Sequence, residues 1–207
     1  MTDVRPQNVS ENWLFTSSVS EDEQIRAYKH RLLVMITFIT ALLMWTYAFI
    51  SSIFVKGTLL PYIGFGCSIV HLFSPWVFKK TKSMTAAAYN MVTAGIIFQF
   101  SFAFFTGGFY SPTLIWFAVL PMIVGILTNK AHAILWTLIS TAGVVLMYWL
   151  QKEGICPSDS LSDLAKVTLQ FLSSLGLIGL IGGFTVSFIE LSYFYGNRSR
   201  VKSNLDP

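Results

Sequence analysis

Between Glu23 and Glu153 the chain contains no aspartate or glutamate, and within that stretch lie five of six long apolar runs. Runs of about 20 apolar residues match the roughly 30 Å of hydrocarbon that a membrane helix must cross. They occupy residues 32–55, 59–78, 84–105, 113–127, 131–150 and 167–189. The fourth is the shortest and contains Pro121. The connections at 56–58 and 128–130 have room only for antiparallel neighbours. Composition agrees: 12% of residues are charged, against about 25% in an ordinary soluble domain. The fold class these features predict is all-α: an integral membrane bundle of six transmembrane helices.

Basic residues set the expected orientation. With the N-terminus inside, Arg5, Arg26, Lys29, Arg31, Lys79, Lys80, Lys82, Lys130, Arg198, Arg200 and Lys202 fall on the cytoplasmic side, and only Lys56, Lys152 and Lys166 outside. Eleven against three is the asymmetry of cytoplasmic loops, so both termini are expected in the cytoplasm. The same placement excludes nucleic acid as the reason for the net charge of +4, because no aromatic residues interleave with the basic ones in a binding pattern. The chain divides into a cytoplasmic segment, 1–31, a transmembrane domain, 32–195, and a tail or linker, 196–207. The first apolar run begins at residue 32 and is too long for a cleaved signal peptide. Before it, Ser20, Glu21, Asp22 and Glu23 fit a capping box that starts a helix. Trp13, Leu14 and Phe15 read equally as a membrane-surface contact or as part of a disordered tail.

Ionisable groups inside a membrane are functional candidates because burying them is costly. Here Glu190, His30 and His132 fall at the cytoplasmic edge, which leaves His71, about two turns inside the second span. It is either a neutral histidine bonded to a neighbouring helix or a ligand or proton contact. The lack of intramembrane carboxylates argues against an ion-coupled carrier. Cys67 and Cys156 do not look like a pair and have no metal-ligand spacing; Cys67 reads as a small core residue and Cys156 as part of a polar loop.

The connection at 106–112 carries more information. Gly107 and Gly108 permit positive φ, Ser111 suits a helix cap and Pro112 a first turn. Phe109, Tyr110, Trp116, Tyr148 and Trp149 fit an interfacial aromatic belt. Alternatively, Phe109 and Tyr110 form a lid above Trp116, over a pocket between helices to which Thr106, Tyr110 and Ser111 give polar groups. In the last span Gly176, Gly179 and Gly183 form a small-residue stripe, for packing inside the bundle or for dimer contact. Phe184, Phe188, Leu191 and Tyr195 continue it with a short coiled-coil rhythm.

The run Thr106-Gly107-Gly108, two residues, then Ser111-Pro112 follows an aromatic-rich third span; a Thr128-Asn129-Lys130 turn then leads into the fifth. In this the chain resembles the six-helix N-terminal modules of bacterial sensor histidine kinases. These include the quorum-sensing kinases that detect α-hydroxyketones and the quinone-linked redox sensors. Related six-helix anchors occur on bacterial class III adenylyl cyclases. The resemblance covers about residues 25–195, and its specific part is the seven-residue loop.

It implies a receptor in the bacterial inner membrane, expected as a homodimer among membrane lipid. Such a receptor binds a small lipophilic ligand, a quinone among the candidates, and has no cofactor of its own. Its ligand residues are then Thr106, Gly107, Gly108, Phe109, Tyr110, Ser111 and Trp116, with Trp149 further off. The signal passes through the sixth helix to a cytoplasmic output domain or response regulator. No catalytic motif occurs in these 207 residues, and neither a phosphoacceptor helix nor a cyclase motif follows the last span. Gly196 and Asn197 are expected to interrupt the signalling helix. A fragment of a longer kinase or cyclase and a stand-alone member both remain open, as do a ligand-independent anchor and dimeriser of a cyclase and a small carrier for an uncharged solute.

Overall fold

The structure, a computed structural model, describes residues 21–55, 59–157 and 162–203. Every regular element among them is helical: α1 (Glu21–Phe54), α2 (Leu60–Leu72), α3 (Ser74–Thr81), α4 (Met84–Phe105), α5 (Val119–Leu127), α6 (Lys130–Lys152) and α7 (Asp163–Ser203), with 3-10 turns at Gly108–Tyr110 and Pro112–Ala118. Five helical segments among the described residues are long and apolar enough to cross a membrane: Ile25–Phe54, Leu60–Thr81, Met84–Phe105, Lys130–Lys152 and Asp163–Val186. Pro112–Leu127 is apolar but shorter. Phe38, Leu42, Phe49, Leu138, Val145, Phe171 and Ile178 are all more than half exposed. A water-soluble monomer rarely displays so much contiguous apolar surface. The chain is a multi-pass membrane protein, all-helical as expected.

The second span is interrupted at Phe73, between α2 and α3. Pro75 has no N–H for the carbonyl of His71, and Ser74 Oγ donates to that oxygen instead, at 2.7 Å. Asn90 Nδ2, on α4, donates to Val70 O at 2.8 Å and to Ser74 Oγ at 2.9 Å. A proline break inside a bilayer is tolerated when neighbouring groups satisfy the freed backbone in this way. The turn into α4 is equally complete. Lys82 adopts φ 57°, and Ser83 Oγ accepts from Ala86 N at 3.2 Å as the N-cap.

The fourth apolar segment opens as a seven-residue 3-10 helix and continues as the nine residues of α5. The 3-10 rise of about 2.0 Å per residue gives about 14 Å. The α-helical rise adds about 13.5 Å. The segment therefore reaches nearly as far as a conventional span despite its length.

Buried residues form two main clusters. One, toward the turns at Lys82 and Thr128, contains Leu33, Ile36, Met91, Trp116, Val124 and Trp136. The other, toward the opposite end, contains Met44, Tyr47, Phe98, Phe102 and Leu169. Close helix contact is set by small residues: a Cβ on Gly64 would lie 2.7 Å from that of Ala48, so α1 and α2 meet backbone to backbone there.

Two expectations change. α7 continues as helix through Gly196 and Asn197 to Ser203, so these residues do not interrupt it. A single glycine costs a helix only about 1 kcal/mol, too little to break one this long. Cys156 lies in the α6–α7 connection, as expected, but its surroundings are apolar: it is buried and packs with Ala103 and Met147. Cys67 is half-buried against the second cluster, and both thiols are free. α1 is described from Glu21 onward; Ser20, and with it the capping box, and the 13–15 segment lie outside the described residues. The side chains of Glu190, Leu191 and Tyr195 do too.

Candidate functional site

The 106–112 loop is closed on itself by hydroxyls. Thr106 Oγ1 lies 2.6 Å from both Phe102 O and Ser111 Oγ, and Ser111 Oγ lies 2.9 Å from Thr113 Oγ1. Ser111 also caps the following 3-10 helix, accepting from Thr113 N at 3.3 Å, as its position suggested. Gly107 and Gly108 both have positive φ, 117° and 60°. A Cβ on Gly108 would also collide with Gln151 Oε1 and lie 2.9 Å from Cys156 Sγ. Burial pushes the Cys156 thiol up from its ordinary pKa, so it stays protonated.

These turns carry the loop aromatics away from Trp116. Phe109 meets Tyr148 of α6 edge to face at 5.4 Å, and Tyr110 is 81% exposed. Trp149 is half exposed on α6. The lid arrangement of Phe109 and Tyr110 over Trp116 is therefore absent among the described residues: the ring partners of Phe109 are Tyr110 and Tyr148.

Trp116 turns inward. It is 5% exposed and forms a wall of a cavity of about 40 Å³ between α1, α2, α4 and the fourth apolar segment. Its Nε1 donates to Tyr47 Oη at 3.3 Å, and Tyr47 Oη lies 2.6 Å from Ser173 Oγ. On its other side the indole fills the space over Gly176, where a Cβ would come within 2.9 Å of the ring. One side chain thus touches both α1 and α7.

His71 borders the same cavity. Its Nδ1 is 3.0 Å from Met91 O and its Nε2 2.6 Å from Thr40 Oγ1, so it ties α2 to α4 and α1. A carbonyl only accepts, so a neutral ring donates from Nδ1 and accepts the Thr40 hydroxyl at Nε2. Thr40 Oγ1 also lies 2.6 Å from Ile36 O. Gln99 completes the polar lining, and its Oε1 is buried without a protein hydrogen-bond partner. Such a group attracts a donor, because an unsatisfied buried acceptor costs about 1–3 kcal/mol.

The sequence singled out His71 and Trp116 but not Thr40, Tyr47 or Gln99, which line the same cavity, nor Ser173, which is bonded to Tyr47. The usable signal was uncharged polar residues inside apolar runs, with Thr40 and Tyr47 seven apart on one face of α1. The glycine stripe splits. Gly176 packs inside the bundle, whereas Gly179 and Gly183 have open space before them. Among the described residues no group of His, Cys, Asp and Glu side chains is arranged to hold a metal ion. Compared with protein-family models, curated proteins and solved structures, the chain matches none.

Proposed function

We propose that this chain is the receptor module of a bacterial inner-membrane signalling protein, of the sensor-kinase kind that its 106–112 loop resembles. Six crossings place both termini in the cytoplasm. The eleven-to-three charge distribution supports this, as does the reach of Pro112–Leu127, about 28 Å once its 3-10 turns are counted. The ligand is small, uncharged and amphiphilic, and it binds in the central cavity.

The observation that carries the reading is the position of Trp116 between cavity, α1 and α7. At about 40 Å³ the cavity is far below the roughly 300–1,000 Å³ of drug-sized sites. A ligand must displace side chains to enter, and moving Trp116 disturbs both the Tyr47–Ser173 bond and the contact at Gly176. α7 then carries the disturbance along its continuous helix toward an output domain. The lining favours a ligand with one donor and one acceptor. Gln99 Oε1 accepts a hydroxyl, and Tyr47 donates to a carbonyl while Ser173 donates to Tyr47 Oη. An α-hydroxyketone offers both groups, whereas a quinone offers acceptors only.

Titration of a long-chain α-hydroxyketone and a quinone against the protein in lipid nanodiscs tests this. The hydroxyketone should bind more tightly. Trp116→Ala should weaken it at least about tenfold, since losing an aromatic anchor costs on the order of 2 kcal/mol, and Gln99→Leu should remove the preference over quinone. Absence of binding by the wild type would leave the anchor-and-dimeriser reading, which the open faces of Gly179 and Gly183 favour. Reading the gene beyond Pro207 separates the two independently, by a kinase core or a cyclase domain.

A further inference from the structure

A larger groove lies away from the central cavity, at the turn that joins α5 to α6. α1, α5, α6 and α7 leave about 480 Å³ there, within the range of organic-ligand sites. Its floor is made by residues of little bulk: Pro121 and Gly125, one turn apart on α5, and Ala133 on α6. Met122, Ile126 and Phe188 form apolar sides. At one end stands a single cation, Lys29, whose Nζ donates to Thr128 O at 3.2 Å. An ammonium group has three donors, and this bond holds it in place while using one of them.

We infer that this groove holds an anionic phospholipid, with its phosphate on Lys29 and one acyl chain along Met122, Ile126 and Phe188. Charge complementarity selects the occupant. The lining contains one cation and no carboxylate. The apolar walls suit a chain, and the lysine lies at the level where Leu32 and Leu33 begin the buried part of α1. A lysine there reaches the headgroup region while its stem stays against apolar surface. The leaflet is the cytoplasmic one, an assignment that rests on the proposed topology; the binding itself does not depend on the receptor reading.

Native mass spectrometry of the full chain, released from detergent with equal phosphatidylglycerol and phosphatidylcholine of the same acyl chains, tests the inference. The wild type should retain phosphatidylglycerol preferentially. Lys29→Gln keeps a polar side chain, one atom shorter, but removes the charge, and should cut that retention about fivefold, the value of one basic residue at a membrane surface. Lys29→Arg should preserve it. Lys79→Gln removes the same charge from the exposed end of α3 and should leave retention near the wild-type level. Met122→Trp narrows the groove and should lower retention of both lipids. Equal retention of the two lipids by the wild type, or equal losses in the Lys29 and Lys79 variants, would overturn the inference. Neither result would bear on the titration at the central cavity.

Discussion

Gly107 and Gly108 stand side by side in the same turn, yet the space before them differs. Gly107, at φ 117°, has its nearest neighbours 3.7 Å from the position of a Cβ, so an alanine there meets backbone strain alone. Gly108, at φ 60°, adds a collision with Gln151 and a tight approach to Cys156. Strain at such a φ is worth about 1–3 kcal/mol. Overpacking adds about 1–3 kcal/mol more. Gly108→Ala should therefore destabilise the protein clearly more than Gly107→Ala, measured as the shift in midpoint on denaturation from detergent micelles. Equal shifts would mean that Gln151 moves aside freely. At this scale the sequence was half legible. Two adjacent glycines predicted positive φ, but nothing local told that α6 packs onto the second one. The same holds for the cavity. A screen of the spans for ionisable groups finds His71 and passes over Thr40, Tyr47 and Gln99, which are uncharged and meet only through the pairing of α1, α2 and α4.

α7 carries its glycines into two environments. Gly176 lies under the Trp116 indole, while Gly179, Gly182 and Gly183 have nothing within 4 Å of an added Cβ. Gly176→Leu should push Trp116 out of place and disturb the fold, lowering thermal stability in detergent. Gly179→Leu should leave that stability unchanged. If the open face meets a second subunit, Gly179→Leu should also shift a dimer toward monomer in sedimentation, because leucine holds two backbones apart. An unchanged dimer would take Gly179 out of the interface. The lengths of such elements were readable because lipid demands unbroken apolar runs: the expected 131–150 corresponds to Lys130–Lys152, and 84–105 to α4 itself. The 3-10 opening of the fourth segment was not readable, since Pro112 suits the first turn of either helix type. Nor could periodicity tell which face of α7 is buried. A helix apolar on all sides gives no amphipathic stripe to read, and only tertiary contact separates Gly176 from Gly179.

For the molecule as a whole, the arrangement in the membrane follows from charge. Lys79 and Lys80 close α3, Lys82 follows, and Arg26 reaches across to donate to Lys82 O at 2.6 Å. Lys29 reaches the Thr128 carbonyl at the next turn of the same end. The basic residues of α1, the α3–α4 turn and the α5–α6 turn thus gather at one end of the bundle. The 106–112 loop and the α6–α7 connection lie at the other, where Gly108 meets Gln151 and Cys156. The proposed topology turns the first end toward the cytoplasm, where Lys and Arg are retained. In that proposed topology Pro112–Leu127 crosses too, making six crossings, which keeps Lys130 at the basic end. An enzyme reporter active only outside the cytoplasm should therefore be silent when fused after Arg200 and active when inserted in the 152–166 connection. A second reporter, active only inside, should give the reverse. External activity after Arg200 would mean an odd number of crossings, and the proposed route through α7 to a cytoplasmic output domain would fail with it.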